Sequence, residues 1–361
     1  MRPDDLSAGV IKAALQTVPE LDPHTVEDVI LGCAQPAGES GYNMARVASL
    51  LAGLKDVPGT TVNRYCASSL QAMRMAYHAI RAGEGDVFVA AGVETVSRFE
   101  RGKSDGMPDT KNPLLLEEAS GLPNVYLAMG ETAERVAAQE NVTREEMDQF
   151  ACLSQERACQ AVETGVFERE ISPVTLADGT LVSRDDCPRP NTSVEKLAGL
   201  KPVFRDDGRV TAGNACPLND GAAAVVIMSD RRAKDLGIRP LARILSTGLS
   251  ALRPEVMGLG PVESSRQALA RAGVTINDVD LVELNEAFAA QVIPSARQLE
   301  VEWDRLNVHG GAIALGHPFG MTGARMMVTL LNALETTDGT LGLETMCVGG
   351  GQGMAMLVER L

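Results

Sequence analysis

Short apolar runs and helical-period stretches alternate at both ends of this chain, and a charged, turn-rich segment separates them. The pattern predicts a helix from Asp4-Asp5-Leu6-Ser7 to Leu15, a short buried strand from Asp28 to Gly32 and a helix from Asn43 to Leu54. A strand from Thr61 to Tyr65 then leads into Cys66, and the following helix carries Leu70, Met73, Tyr77 and Ile80 on one face. Asp86 to Val93 is another apolar strand. Strand, helix and strand in that order indicate an α/β sheet.

From Arg98 to about Ala215 the regular pattern lapses, apart from helices at Met129–Gln139 and from Arg144 to about Thr164, so the segment reads as an inserted subdomain. The α/β pattern resumes at Asp220–Met228. The last third repeats the plan: strands at Val279–Leu284, Asn307–His309, Leu341–Cys347 and Gly353–Val358, a helix at Glu286–Leu299, and a helix after His317 that reaches Ala333. The run that begins Gly351-Gln352-Gly353-Met354 resembles Asp220-Gly221-Ala222-Ala223 in pattern, which suggests two similar α/β halves.

Composition narrows the function classes. The 361 residues are 45% hydrophobic and 22% charged, the balance of a folded globular chain with room for more than one core. With aromatics at 3% and 35 glycines, the core must come from Ala, Val, Leu, Ile and Met. A formal charge of −15 argues against nucleic acid as a partner but permits an anionic small ligand held by local basic residues. No uninterrupted apolar run reaches the roughly 20 residues of a membrane span, and the N-terminus has no apolar signal core. The seven cysteines include no C-x-x-C pair and no zinc pattern, so they read as reduced thiols in the cytoplasm and no metal is expected.

Two of those cysteines stand where backbone geometry makes thiols reactive. Cys66 opens a helix after a strand, where the positive end of the helix dipole favours thiolate. Cys347 precedes Gly349-Gly350-Gly351, where bare N–H groups can approach a substrate oxygen. His317, held between Gly316 and Pro318, can accept a thiol proton, and Asn285-Glu286 follows another strand. Singly, each has an ordinary structural explanation: a buried cysteine is commonly a small hydrophobe, a glycine run a packing turn, Asn-Glu a cap. His78 and His309 read as structural. Together, on strand ends of one α/β chain, the set points to acyl chemistry on sulfur.

Val62–Ala72, Gly213–Ala224, Asn285–Ala290, Gly310–Arg325 and Cys347–Gly353 resemble, in order, the motifs of the thiolase family, in particular the degradative acetyl-CoA acyltransferases that act as 3-ketoacyl-CoA thiolases. The resemblance covers essentially the whole chain. Asn285-Glu286-Ala287-Phe288 separates it from ketoacyl-carrier-protein synthases and from the thiolase branch with His-Asp there. The resemblance implies two α/β halves in an αβαβα layering, with residues 1–98 and 217–238 forming the first half, 99–216 the inserted loop subdomain and 239–361 the second half. It also implies thiolytic cleavage of a 3-ketoacyl-CoA to acetyl-CoA and a shortened acyl-CoA, as in β-oxidation. Cys66 is then the acyl-accepting nucleophile, His317 its base and Cys347 the acid and base at carbon. His317 with a water held by Asn285 forms one oxyanion site, and the N–H groups of Cys66 and Gly349 form the other. Coenzyme A enters as a substrate, with no permanently bound cofactor. It passes Ala215, Cys216 (serine in many relatives), Ala128 and Met129, and its phosphates meet Arg184, Lys196 or Lys201. A homodimer or homotetramer is implied. A biosynthetic acetoacetyl-CoA thiolase and an inactive structural or partner subunit are the competing readings.

Three departures stand out. Ala128 replaces a histidine frequent in short-chain relatives and leaves room for larger acyl chains, branched or steroid-derived among them. Phe319 and Met321 differ from the commoner Ile and Ala beside the histidine. The family's first strand, with an Arg-Thr-Pro motif, lies upstream of Met1, so the expectation is a first sheet that lacks a central strand, through a misplaced start or a truncation.

Overall fold

The structure, a computed structural model, describes residues 1–361 except the side chain of Glu118. Helices α1 (Pro3–Gln16) and α2 (Met44–Leu51) flank strand β1 (Asp28–Gly32); β2 (Gly59–Val62), α3 (Ser68–Ala82) and β3 (Val87–Thr95) follow. The irregular segment holds α4 (Met129–Gln139), α5 (Arg144–Glu163), the hairpin β4 (Val174–Thr175) and β5 (Leu181–Val182), and α6 (Val194–Ala198). Then come β6 (Asp220–Met228), α7 (Asp230–Asp235), β7 (Ala242–Ala251), α8 (Gly260–Ala272), β8 (Leu281–Leu284), α9 (Ala289–Leu299), α10 (Ala312–Leu315), α11 (Thr322–Thr336), β9 (Leu341–Val348) and β10 (Gln352–Arg360).

Two four-stranded sheets result, in the orders β2-β1-β3-β6 and β7-β10-β9-β8. In the first, β1 runs parallel to both β2 and β3, and β6 is antiparallel to β3. In the second, β8 runs parallel to β9, and β10 is antiparallel to both β9 and β7. The similar sequences at 220 and 352 thus become equivalent strands, β6 on β3 and β10 on β9. Their outer edges differ. β7 covers β10, whereas no strand among the described residues pairs with the outer edge of β6.

Strand alternation builds the layers. On β3, Phe88 and Ala90 face a central core, while Val87, Val89, Ala91 and Val93 face an outer one with Ile11, Leu15 and Met44 of α1 and α2. On β10, Met354, Met356 and Val358 face the same central core, which Leu70 and Met73 of α3 and Met326 and Leu330 of α11 fill. Both sheets are therefore covered on both faces, which explains their nearly continuous apolar sequences. The order is αβαβα: α1 and α2, the first sheet, α3 with α11, the second sheet, then α8 and α9. The inserted segment packs on the second half, where Ala133, Met147 and Phe150 share a core with Ile293 and Leu299.

Several predicted elements move, for local reasons. The strand expected at Thr61–Tyr65 ends at Val62, because Asn63 turns the chain and its Oδ1 accepts the Tyr65 N–H at 2.8 Å. The expected strand at Asn307–His309 shrinks to one bridge between Val282 and Leu306. Asn307 takes φ +45° and turns its amide onto β8, accepting the Leu284 N–H at 2.8 Å and donating to the Leu284 carbonyl at 2.9 Å. Helix α9 begins at Ala289 rather than Glu286, since Phe288 bridges to Ala215. The expected gap at the centre of the first sheet is also corrected. β1 and β3 each have partners on both sides, and the position that differs from the second sheet lies at an edge.

Candidate active site

The ends of β3, β8 and β9 and the starts of α3 and α11 converge where the two halves meet. Cys66 lies in a 3₁₀ turn, Tyr65–Ala67, that packs on β9 and passes directly into α3. Tyr65 takes φ +44°, a conformation that costs a non-glycine residue energy and recurs at functional turns. Bonds on either side hold it: Ser68 Oγ donates to the Tyr65 carbonyl at 2.6 Å, and the Arg64 guanidinium binds Gln71 at 2.9 Å and Gln352 at 2.8 Å. The backbone N–H groups of Gly349 and of Cys66 itself favour the thiolate form of the sulfur.

The electrostatic expectation for Cys66 is reversed. Burial pushes the thiol up to about 11 and outweighs the N–H donors, so the resting group is a protonated thiol. It therefore needs a base. His317 is buried, and burial first, then the Arg325 charge, lower its ring to about 3, so it is neutral at neutral pH. Thr322 Oγ1 donates to the Pro318 carbonyl at 2.9 Å and so accepts the His317 Nδ1–H at 2.6 Å. That leaves Nε2 unprotonated, accepting from Asn285 Nδ2 at 3.3 Å. The His317 backbone N–H donates to Asn219 Oδ1 at 3.0 Å, and the Phe319 ring packs edge-on to the imidazole, centroids 5.2 Å apart.

Asn285 follows β8. Its N–H donates to the Thr345 carbonyl at 3.0 Å, and its carbonyl accepts from Gln291 Nε2 at 2.6 Å. Its Oδ1 is buried without a partner, an acceptor suited to a donor such as a bound water. Glu286 is tied down by Ser154 Oγ at 2.6 Å, Asn307 Nδ2 at 2.8 Å and the Ile313 N–H at 3.0 Å, so it secures the loop rather than facing the thiols. Cys347 lies within β9 rather than opening the turn. It is fully buried in an apolar cluster with Met257 and Ala287, against Met129 and Phe288, and burial raises its thiol well above the usual range. The turn itself is Gly349–Gly351, where Gly350 and Gly351 take φ +79° and +82°.

Of the residues expected to meet coenzyme A, Cys216 and Met129 lie at this site. Cys216 interacts electrostatically with Cys66 and Cys347, its N–H donates to the Ala287 carbonyl at 3.1 Å, and burial pushes its thiol to about 12. Ala215 bridges to Phe288, and Ala128 is exposed at the N-terminus of α4. Arg184, Lys196 and Lys201 are exposed; the Lys196 ammonium binds the Asn191 carbonyl at 2.5 Å. His78 stacks at 5.6 Å on Tyr77, and His309 is 3.5 Å from Thr336 Oγ1.

The sequence reading missed Thr322, Asn219 and Glu94. The buried Glu94 carboxylate accepts N–H bonds from Ala34 at 2.8 Å, Gln35 at 3.2 Å and Gly320 at 3.0 Å, clamping the His317 loop onto the strand ends of the other half. None of the three has a local signal, since each acts across a long sequence separation or from an unremarkable helix start. Among the described residues no group of three or more His, Cys, Asp or Glu side chains could hold a metal ion, and no helix is long and apolar enough to cross a membrane.

Comparison with known proteins agrees with this geometry. The family described as "Thiolase, N-terminal domain" matches residues 1–231, and "Thiolase, C-terminal domain" matches residues 238–360. The 3-oxoadipyl-CoA/3-oxo-5,6-dehydrosuberyl-CoA thiolase of Escherichia coli (strain K12) is 44% identical over 383 residues, which cover 100% of this chain and 94% of that protein. A 3-ketoacyl-CoA thiolase of Shewanella sp. (strain ANA-3) is 45% identical over 371 residues, with the same coverage. The crystal structure of the Bacillus anthracis acetyl-CoA acetyltransferase superposes with a TM-score of 0.91 at 38% identity, covering 100% of this chain and 93% of that one. With two matched domains that together span nearly its whole length, the chain belongs to the thiolase family.

Proposed function

We propose that the protein cleaves 3-ketoacyl-CoA with free coenzyme A, giving acetyl-CoA and a shortened acyl-CoA through an acyl thioester on Cys66. One observation carries the assignment: where the two halves meet, a neutral histidine has its Nδ1–H held by Thr322 and its unprotonated Nε2 against Asn285, in one site with a buried thiol whose anion the Gly349 and Cys66 N–H groups favour. Nε2 takes the Cys66 proton as sulfur attacks the ketone carbon. The oxygen charge of the adduct is received by the N–H groups of Cys66 and Gly349. The C–C bond breaks, and the acetyl-CoA enolate takes a proton from Cys347, whose buried thiol holds it until that charge develops. His317 with a water on Asn285 Oδ1 stabilises the enolate oxygen. Coenzyme A thiol, giving its proton to the Cys347 thiolate, then attacks the acyl group, and the departing Cys66 sulfur takes back its proton from His317. The chemistry uses coenzyme A as substrate and requires no bound cofactor.

The pantetheine arm passes Ala215, Cys216 and the Ala128–Met129 corner, and Arg184, Lys196 or Lys201 meets the phosphates. The small, exposed Ala128 at the mouth suits acyl chains longer than acetoacetyl. Homodimers or homotetramers are the working form: Tyr42 is 96% exposed beside the open edge strand β2. Seven free cysteines, two of them needed as thiols, suit the reducing cytoplasm.

Mass spectrometry after a pulse of 3-ketoacyl-CoA tests the assignment. An acyl group is expected on Cys66, absent in Cys66→Ala. It should persist in Cys347→Ala, which no longer exchanges the C–C bond. Full activity of Cys66→Ala would end this reading. Turnover across a ladder of chain lengths separates the degradative enzyme from an acetoacetyl-CoA specialist.

A further inference from the structure

Beneath the catalytic strand ends lies a charged group that the chemistry above does not use. Glu283 of β8 and Glu344 of β9 stand opposite each other in the parallel register, both inside the molecule. Arg325 of α11 reaches them, with Nη1 3.7 Å from Glu283 Oε2. Neither oxygen of Glu344 has a hydrogen-bond partner, and Arg325 Nη1 has none either. An ionised carboxylate with no donor, buried opposite a second carboxyl, is too costly to hold, so it keeps its proton.

The placement of the three residues is what gives the group a role. Glu283 lies two residues before Asn285 and Glu344 three before Cys347. Arg325 is one helical turn beyond Thr322, the partner of His317 Nδ1, so the two share a face of α11. That helix packs on both strands. One buried cluster therefore joins the three elements that carry Asn285, Cys347 and His317.

We propose that Arg325, Glu283 and Glu344 form a single positioning unit in which Glu344 is a neutral acid, and that the unit keeps Asn285, Cys347 and His317 in mutual register. This rests on the thiolase chemistry assigned above. Burial raises both carboxyls, Glu283 to about 8 and Glu344 well above its usual range; Glu283 faces Arg325 Nη1 at 3.7 Å and Glu344 has no partner, so Glu283 is the one that ionises opposite Arg325. The other charged groups around the unit have their own partners or lie at its rim. Glu286 is bound by Ser154, Asn307 and Ile313, and Glu170 by Thr329 and Asn332. Asp185 approaches Arg325 from the insertion, Arg157 of α5 acts on Glu283, and His317 lies on the catalytic side. Arg325 is thus the cation that acts on His317, and it helps keep that ring neutral.

The test compares Glu344→Gln, Arg325→Met and Arg325→Lys. The infrared difference spectrum at pH 9.5, where Glu283 is ionised, between wild type and Glu344→Gln should show the carbonyl band of one protonated carboxylic acid that the variant lacks. Glu344→Gln, which copies a neutral acid, should fold and acylate Cys66 within about threefold of wild type. Arg325→Met should acylate about a hundredfold more slowly at unchanged KM for coenzyme A, the scale on which small misplacements of reacting groups act, and Arg325→Lys should fall between. The proposal fails if the band is absent, if Glu344→Gln is as impaired as Arg325→Met, or if Arg325→Met acylates at the wild-type rate. Should Arg325→Met not fold, Arg325→Lys decides. The infrared band is read on resting protein and stands or falls independently of any turnover.

Discussion

At the scale of single residues, Cys66 shows how two opposing effects are ranked. A helix N-terminus and two N–H donors favour thiolate, but removal from water costs the anion more, and the thiol rises to about 11. Alkylation of Cys66 by iodoacetamide should therefore climb steadily from pH 7 to pH 10 with no plateau; a plateau below pH 8 would show that the helix dipole prevails. Glu94 titrates where the protein works. Burial raises it to about 7 despite three N–H donors. Between about pH 4.3, usual for an exposed glutamate, and about 7, the folded chain holds a proton that the unfolded chain has released. Stability is thus lost as pH rises through that window, by at most about 1.4 kcal/mol per pH unit. Urea midpoints taken at intervals from pH 5 to pH 8 should fall in wild type and fall less in Glu94→Gln.

At the scale of elements, close approach is set by glycines. A Cβ on Gly353 of β10 would strike the backbone of Gly260 at the start of α8, and one on Gly248 of β7 would strike Ser264 of the same helix. Gly353→Ala should push α8 off the second sheet and destabilise by about 1–3 kcal/mol, read as a lower denaturant midpoint with an unchanged slope. Such contacts also mark how far sequence patterns reach. Runs with strong periodicity or flanking turns, such as Asp28–Gly32, Met129–Gln139 and Asp220–Met228, are found where their patterns predict. Strand β7 and helix α8 escape pattern reading. β7 mixes Ser, Thr and Gly with its apolar residues, and α8 opens on Gly260-Pro261 with two serines on its buried face. At the site, Cys66, His317, Asn285 and Cys347 are legible because motif order brings them forward. Thr322, Glu94 and Arg325 are not, because their importance lies in bonds and charges that cross between elements.

For the whole molecule, the proposed assembly has a second copy covering the open edge of β2 and the exposed Tyr42. Sedimentation velocity is expected to give a dimer or a dimer of dimers, and Tyr42→Glu to shift it toward monomer; a wild-type monomer at micromolar concentration would contradict the proposed assembly. The outer edge of β6 has a different consequence. All nine of its residues are half-exposed, and after Asp220 it runs Gly-Ala-Ala-Ala-Val-Val-Ile-Met with no charge and no proline to blunt it. Where no further strand covers it, an edge of that composition templates its own kind. The property it governs is shelf life: concentrated solutions should gradually cloud as molecules stack edge to edge, even while each one keeps its catalytic centre intact.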